Sequence, residues 1–521
     1  MRNLISKYKG NILFAFLFTL FLLLPDFLAN IVFKHYYIIN KKNTLKEILI
    51  TFIIALIISF LTKKQKLIFG SLFLLLSLIQ IGYYAYFHTY LPFYQINLLF
   101  SEYEDIFAAL SSIVYLVIFL IFIFIFLLIL INLFHKKFKP HSNRFAVLIL
   151  IALLVIFPFM VKKKPSIYMP NPTHFGYLNT FFAINQFIAN KLTKEKQKDY
   201  KPYIVEKTNN GKPVVIMIMG ESLNYKYMNL FGWKYKDTPM LNKLKNDSHF
   251  IYKKAISGGV NTPVSVVTFF NLKREPDNIK LLLTQKTNLL KLAKENGYKV
   301  YWLSMQNEGS SISTNLNYAD IIKTRKDFKE KYDDALLKTL KKIDFNKKSF
   351  VILHFRANHA PYEKYTPKSF YKWNFNYNNY HKHQLFSYMD SVLYVDNLLY
   401  KIIEYMKTNH KNFVIYFTSD HAEMMGFPDE SGRYGHSQLV WGDTSVPFLY
   451  YSDKYDKNLT KKIYNHYLIG KMLAKDLGYK IINPNENGSY FVNSVEINGN
   501  AGYLQYKLTN QFTPKTIKEK Y

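Results

Sequence analysis

No cysteine occurs anywhere in the chain. Disulfides, cysteine-based zinc fingers and thiol nucleophiles are therefore excluded, and any metal must sit on histidine nitrogen or on carboxylate and hydroxyl oxygen. The lack of thiols does not decide the compartment. Acidic residues are scarce as well: 36 Asp and Glu stand against 68 Lys and Arg, for a formal net charge of +32. That excess is scattered lysine, with no Arg-rich groove and no nucleic-acid motif. Anionic lipid or phosphorylated glycan is a better partner for it than nucleic acid.

Charge is nearly absent from long stretches of the first third. Apolar runs at about 11–33, 47–62, 67–87, 113–134 and 146–161 approach or reach the roughly 20 residues a helix needs to cross a bilayer, so about five spans are expected in a domain covering 1–161. The first run is too long for a removed signal peptide and lacks a small-residue cleavage site, so it reads as an anchor. The connection 88–112 has no Lys or Arg, whereas 135–144 carries Lys136, Lys137, Lys139 and Arg144. Basic residues favour the cytoplasmic side, which places the C-terminal region outside the cytoplasm. Tyr90, Phe93, Tyr94, Phe100, Tyr103 and Phe107 mark 88–112 as an interfacial aromatic segment. Residues 162–212 mix Pro, Lys and Asn with an amphipathic stretch near 179–194 and read as a bridge.

From 213 to 521 the pattern changes. Short β-rich runs at 213–219, 299–304, 349–354, 412–418 and 446–451 alternate with helical spacing at 287–297 and 385–407. This alternation predicts an α/β domain with a largely parallel sheet, whose ligand site lies beyond the carboxyl ends of the strands. The residues with chemical potential fall there: Glu221 in MGES, His359 in HFRANHAP, Asp420 and His421 in TSDH, and His436 in RYGHSQ. Any one of these is ordinarily a turn residue or helix cap. Their recurrence at several strand ends suits zinc or manganese. A hydroxyl is supplied by Thr262 in SGGVNTPVSVV, where the chain predicts Thr262 as N-cap and Pro263 as the first helical residue. At a helix start, backbone N–H groups and the helix dipole favour a phosphoryl group.

As an ordered set these segments resemble the phosphoethanolamine transferases of the alkaline phosphatase/sulfatase superfamily, of the lipid A and lipopolysaccharide-core type. GESLNYKYMNLFGWKYKDTPML is similar to the family's opening motif, GGVNTPVSV to its nucleophile segment, and LHFRANHAP, FTSDHAE and RYGHSQ to its histidine and aspartate segments. The resemblance implies an N-terminal multi-helix transmembrane domain followed by a sulfatase-like catalytic domain. It implies one zinc or more on Glu221, Thr262, Asp420 and His421, with Thr262 as nucleophile. His359, His436, His354 and Glu423 are implied at the phosphoryl group or a second metal. The implied reaction moves phosphoethanolamine from phosphatidylethanolamine to lipopolysaccharide or another envelope glycan, on the periplasmic side of a bacterial inner membrane. A phosphoglycerol transferase, or another membrane-anchored phosphotransferase or hydrolase of the superfamily, is the alternative. Three departures bear on the acceptor rather than the chemistry: the missing disulfides, Asn224 and Lys226 where an Arg is usual, and QNEGSS at 306–311 in place of a Gly-rich Asn segment.

Overall fold

The computed structural model describes residues 7–520 except 34–35, 40, 98–113, 144, 164–167, 169, 192–197, 209–210, 308–311, 313, 374–379, 428–431, 455–458, 460 and 509–514. The chain forms two compact units, Met1–Glu195 and Lys196–Tyr521. Most of the aromatic segment expected on the membrane, from 98 onward, lies outside the described residues, as does most of QNEGSS.

The first unit is a transmembrane helical domain. Its long helices are α1 (Lys9–Val32), α2 (Lys41–Ser59), α3 (Lys63–Phe87), α4 (Val114–Phe138) and α5 (Phe145–Lys163), followed by α6 (Gly176–Lys191). Among the described residues four of these, α1, α3, α4 and α5, are long and apolar enough to cross a membrane. About five spans were expected. The difference is α2, which contains most of the expected run at 47–62 but opens with Lys41, Lys42, Lys46 and Glu47. Outward-facing side chains such as Ile31, Ile68, Phe122 and Phe145 are exposed, as an apolar solvent requires and water would penalise. The expected bridge at 162–212 contributes α6 to this unit and a short strand, Ile204–Lys207, to the second.

The second unit is built on an eight-stranded sheet. Its strands are β1 (Val214–Gly220), β2 (Phe250–Ile256), β3 (Lys299–Ser304), β4 (Ile321–Lys323), β5 (Ser349–His354), β6 (Phe413–Ser419), β7 (Ser445–Ser452) and β8 (Ile463–Asn465). The spatial order is β8-β2-β7-β6-β1-β5-β3-β4. The run β6-β1-β5-β3-β4 is parallel, while β7 is antiparallel to both β6 and β2. The five expected strands are present. β2, β4 and β8 were not anticipated, two of them only three residues long.

Every residue of β1 is buried, so this strand reads as a continuous apolar run rather than as an alternation. The period of two still sorts its side chains: Val214, Ile216 and Ile218 enter one core, and Val215, Met217 and Met219 the other. The first core is closed by α7 (Tyr380–Asn409), whose Val392, Val395, Leu398, Leu399, Ile402 and Met406 recur at helical spacing. Helices cover both faces, so the carboxyl ends of the parallel strands are where the chain opens to a ligand.

Candidate metal centre and nucleophile

β1 and β6 are neighbours, with Gly220 opposite Ser419, so the residues that follow them, Glu221 and Asp420, emerge side by side. The turn after Glu221 is tight. Ser222 has φ of +52°, and the Tyr388 hydroxyl of α7 donates to the Ser222 carbonyl at 2.8 Å while accepting from the Asn224 N–H at 2.9 Å. The third contributor comes from a different place in the sequence, the start of the helix Thr262–Phe270. Its N-cap is Asn261, whose side chain accepts from the Val264 N–H at 3.2 Å, and not Thr262 as expected. Asn and Thr both serve as caps. With Asn261 in that role, the Thr262 hydroxyl is left to face the carboxylates.

It does so closely. Thr262 Oγ1 lies 2.5 Å from Asp420 Oδ2, 3.2 Å from Glu221 Oε2 and 3.3 Å from His421 Nε2. His421 Nε2 is 3.3 Å from Glu221 Oε1. One ligand atom each from Glu221, Asp420 and His421 lies within 4.8 Å of the others, and all three residues are buried. Thr262 is only half-buried. Hence the carboxylates and imidazole form the floor and the hydroxyl the accessible edge.

The carboxylates are also held by their neighbours. Asp420 Oδ1 accepts the N–H groups of Ser222 and His421 at 3.1 and 2.7 Å. Glu221 Oε1 accepts the Ser222 hydroxyl at 2.7 Å, and Glu221 Oε2 the Gln306 amide at 2.7 Å. Ser222 and Ser265 are fully buried, and the Ser265 hydroxyl is committed to the Asp420 carbonyl, so neither competes with Thr262 as an accessible hydroxyl.

Electrostatics strain this arrangement. Burial favours neutral carboxyls, yet the hydrogen bond and charge of His421, the charge of His359 and the Ser222 hydroxyl hold Glu221 well below the usual range. Asp420 is raised by burial and by the charge of Glu221. Burial would lower His421, but Asp420 and Glu221 push it up to about 10. Among the described residues the ion pairs of the two carboxylates are with His421 alone. Two buried acids around a single imidazole are short of positive charge, and a divalent cation would supply it. Two carboxylates, one imidazole and one hydroxyl at this spacing form a donor set that fits zinc.

The other expected residues divide into two groups. His436 reaches the site: its Nδ1 is 2.8 Å from Glu423 Oε2, and its ring lies 4.4 Å from that of His421, centroid to centroid. Glu423 is buried and also accepts the Tyr362 hydroxyl at 3.0 Å, so it orients His436 from behind. His359 is nearly buried, with Nδ1 at 2.6 Å from the Ala360 carbonyl. His354 touches Glu221 only through an intermediary: its Nε2 is 3.0 Å from the Gln306 amide nitrogen.

Two contributors were not anticipated in these positions. Gln306 follows the end of β3 and links Glu221 to the Phe355 carbonyl and to His354. The strand-end rule that singled out the others would have found it. His466 opens the helix His466–Asp476. Its Nδ1 accepts the Gly258 N–H at 3.1 Å, and its Nε2 lies 2.9 Å from the Ser419 carbonyl, so it ties the Thr262 loop to the end of β6. Burial drops it to about 3, with the charge of His421 adding to the fall, so it is neutral. No local pattern distinguishes it from a core histidine.

Comparisons with known proteins bear on the family and the fold. The putative transferase YhbX of Escherichia coli is 24% identical over 330 residues, covering 58% of this chain and 57% of its own length. The Kdo(2)-lipid A phosphoethanolamine 7''-transferase of Salmonella typhimurium is 25% identical over 256 residues, 46% of this chain and 45% of its own. The chain thus spans about half the length of the curated relatives it matches. Among solved structures, the integral membrane lipooligosaccharide phosphoethanolamine transferase A of Neisseria meningitidis superposes with a TM-score of 0.57 at 17% identity, over 90% of this chain and 95% of that one, and so shares its fold. The family model described as Sulfatase matches residues 213–475, half of the chain, from the start of β1 to the end of the His466 helix. The chain therefore belongs to the sulfatase family.

Proposed function

We propose that the protein transfers phosphoethanolamine from phosphatidylethanolamine to an envelope glycan such as lipid A or the lipopolysaccharide core, with Thr262 as the group that carries the phosphoryl moiety between them. The observation that carries this reading is the half-exposed Thr262 hydroxyl set within 3.3 Å of Glu221, Asp420 and His421 at a helix start. The names of the relatives support the transferred group. Zinc held by Glu221, Thr262, Asp420 and His421 would lower the pKa of the hydroxyl and draw charge from the phosphoryl oxygens.

The chain's own residues define the rest. Thr262 Oγ1 attacks phosphorus as the bond to the diacylglycerol oxygen breaks, and the proton lost by the threonine ends on the departing diacylglycerol. A hydroxyl or phosphate oxygen of the glycan then attacks phosphorus, the Thr262 oxygen leaves, and the proton returns to it. Pro263 has no N–H, the Val264 N–H is held by the Asn261 side chain and the Ser265 N–H by the Asn261 carbonyl, so in this reading the phosphoryl oxygens are met by side chains and the helix dipole rather than by free first-turn amides. On the same reading His436, steadied by Glu423, and His359 donate to those oxygens. The transmembrane unit keeps the chain at the lipid surface, with the catalytic unit on the periplasmic side.

Fluorescent phosphatidylethanolamine or phosphatidylglycerol mixed with detergent-purified protein tests donor and reaction together. Diacylglycerol from the first lipid, with a phosphoethanolamine adduct on Thr262 by mass spectrometry, is the expected result. Release from phosphatidylglycerol alone would make the protein a phosphoglycerol transferase. An adduct on Ser222 or Ser265 would overturn the mechanism.

A further inference from the structure

A second concave feature lies beside the site on the α7 side of the sheet. The segment after Glu221 folds into two short 3-10 turns, Tyr225–Tyr227 and Asn229–Phe231, closed by Gly232 at φ of +103°, which a side chain would strain. The Asn229 amide holds the Trp233 carbonyl at 2.6 Å, and the Asn224 amide holds the Glu423 carbonyl at 2.9 Å. With Lys254 of β2 and Phe427, this loop encloses a cavity of about 280 Å³.

Its wall has a definite chemistry. Trp233 and Phe427 meet edge to face at 5.1 Å, Tyr225 and Phe231 lie 5.7 Å apart, and the Lys254 ammonium stands 5.4 Å above the Tyr225 ring. Lys226 lines the same cavity. Aromatic faces with two ammonium groups suit a ligand with an apolar ring face and a negative charge. The volume admits about one sugar ring. Tyr225 is four residues from Glu221 and Phe427 four from Glu423, so each lies within about 14 Å of the site along the chain.

We infer that this cavity holds one phosphorylated sugar ring of the acceptor glycan, with its apolar face on Trp233 and Phe427 and its phosphate toward Lys226 and Lys254. The word acceptor rests on the transferase reading above. The binding claim does not.

The test uses the full-length protein in detergent with glucosamine 1-phosphate as probe, and glucosamine and inorganic phosphate as comparators. Calorimetry reports binding, and quenching of Trp233, one of four tryptophans, reports place. Saturable binding of the sugar phosphate is expected, tighter than that of either comparator. Trp233→Phe should remove the quench, and Lys226→Glu should weaken binding about tenfold. Lys254→Met should weaken it as well; melting curves accompany both, and if this variant unfolds, Lys226→Glu decides alone. Inorganic phosphate binding as tightly as the sugar phosphate, a quench that survives Trp233→Phe, or unchanged affinity in Lys226→Glu would each overturn the inference. Diacylglycerol release by the wild-type protein is measured in parallel. Release without sugar-phosphate binding defeats the cavity alone, and binding without release defeats the transferase reading alone.

Discussion

Both units bury a pair of acids, and they do so to different ends. In the membrane unit Asp26 of α1 and Glu47 of α2 meet the start of α6: Asp26 Oδ1 accepts the Gly176 N–H at 2.6 Å, Glu47 Oε2 accepts the Phe175 N–H at 3.1 Å, and Glu47 also pairs with His174. These are the amide groups a helix start leaves unsatisfied, and the dipole there favours negative charge. The acids act as pins that fasten α6. In the second unit Glu221, through both oxygens, and Asp420, through Oδ2, face one hydroxyl and one imidazole, with too little positive charge between them. Burial of an acid is thus a weak sign of chemistry. Convergence of several acids on an accessible hydroxyl is a strong one.

If that distinction is right, the largest effect comes from the hydroxyl. Thr262→Ala should lower transfer by about 10³-fold or more, because a covalent route loses its nucleophile, while metal content and melting temperature stay near wild type. Undiminished transfer would place the two acid pairs on the same footing. Thr262→Ser should keep part of the activity in the same assay.

Removing the cation should separate the units next. Chelation, or Asp420→Ala, is expected to empty the zinc site by elemental analysis. Chelation should also lower the stability of the second unit by about 3 kcal/mol, the linkage expected when a tightly bound ion is lost. The melting of the membrane unit should not move. Full zinc occupancy in a folded Asp420→Ala variant would contradict the ligand assignment.

The reverse experiment acts on the pins. Glu47→Ala leaves His174 and the Phe175 N–H without their acceptor and should cost the membrane unit about 3 kcal/mol. In Gly176→Ala a Cβ would stand 2.7 Å from the Tyr36 hydroxyl and 2.9 Å from Asp26 Oδ1, with an expected cost of about 2 kcal/mol. Amide exchange of α6 should accelerate in both variants, and zinc content should be unchanged. Loss of zinc from either would show that these acids do more than fasten a helix.

The smallest effect is a pH dependence. His466 is depressed to about 3 in the folded protein, below its ordinary value near 6.5, so the unfolded chain binds the extra proton first. Its contribution to stability is complete above pH 6.5 and falls as pH drops through the window from 6.5 to 3. The loss is about 1 kcal/mol at pH 5.5. Denaturant titrations of wild type and His466→Gln should show a shallower acid slope in the variant, and equal slopes would remove His466 from that role.

Much of this architecture was legible. Strand-end motifs such as MGES and TSDH follow fully buried runs, and parallel strands must release their chain at the ligand edge, so Glu221, Asp420 and His421 could be read in order. The helix start at Thr262 was legible to within one residue, because Asn261 and Thr262 are both capping types and only the hydrogen bond to Val264 decides between them. About five spans were expected, and among the described residues four helices are long and apolar enough, since charge at the start of α2 offsets an apolar remainder. The short strands β4 and β8 were not legible, because three residues carry too little periodicity to register.

By itself, then, the amino-acid sequence determined the membrane third, the α/β alternation, the absence of thiol chemistry and the identity of the acids and imidazoles at the strand ends. These follow from local composition and period. Tertiary structure alone decided that Thr262 faces Asp420 across 158 positions, that Gln306 and His466 brace the site, and that Asp26 and Glu47 hold the start of a helix. Those facts depend on which atoms packing brings within hydrogen-bond reach, and no local pattern in a chain encodes the distance between residues far apart along it.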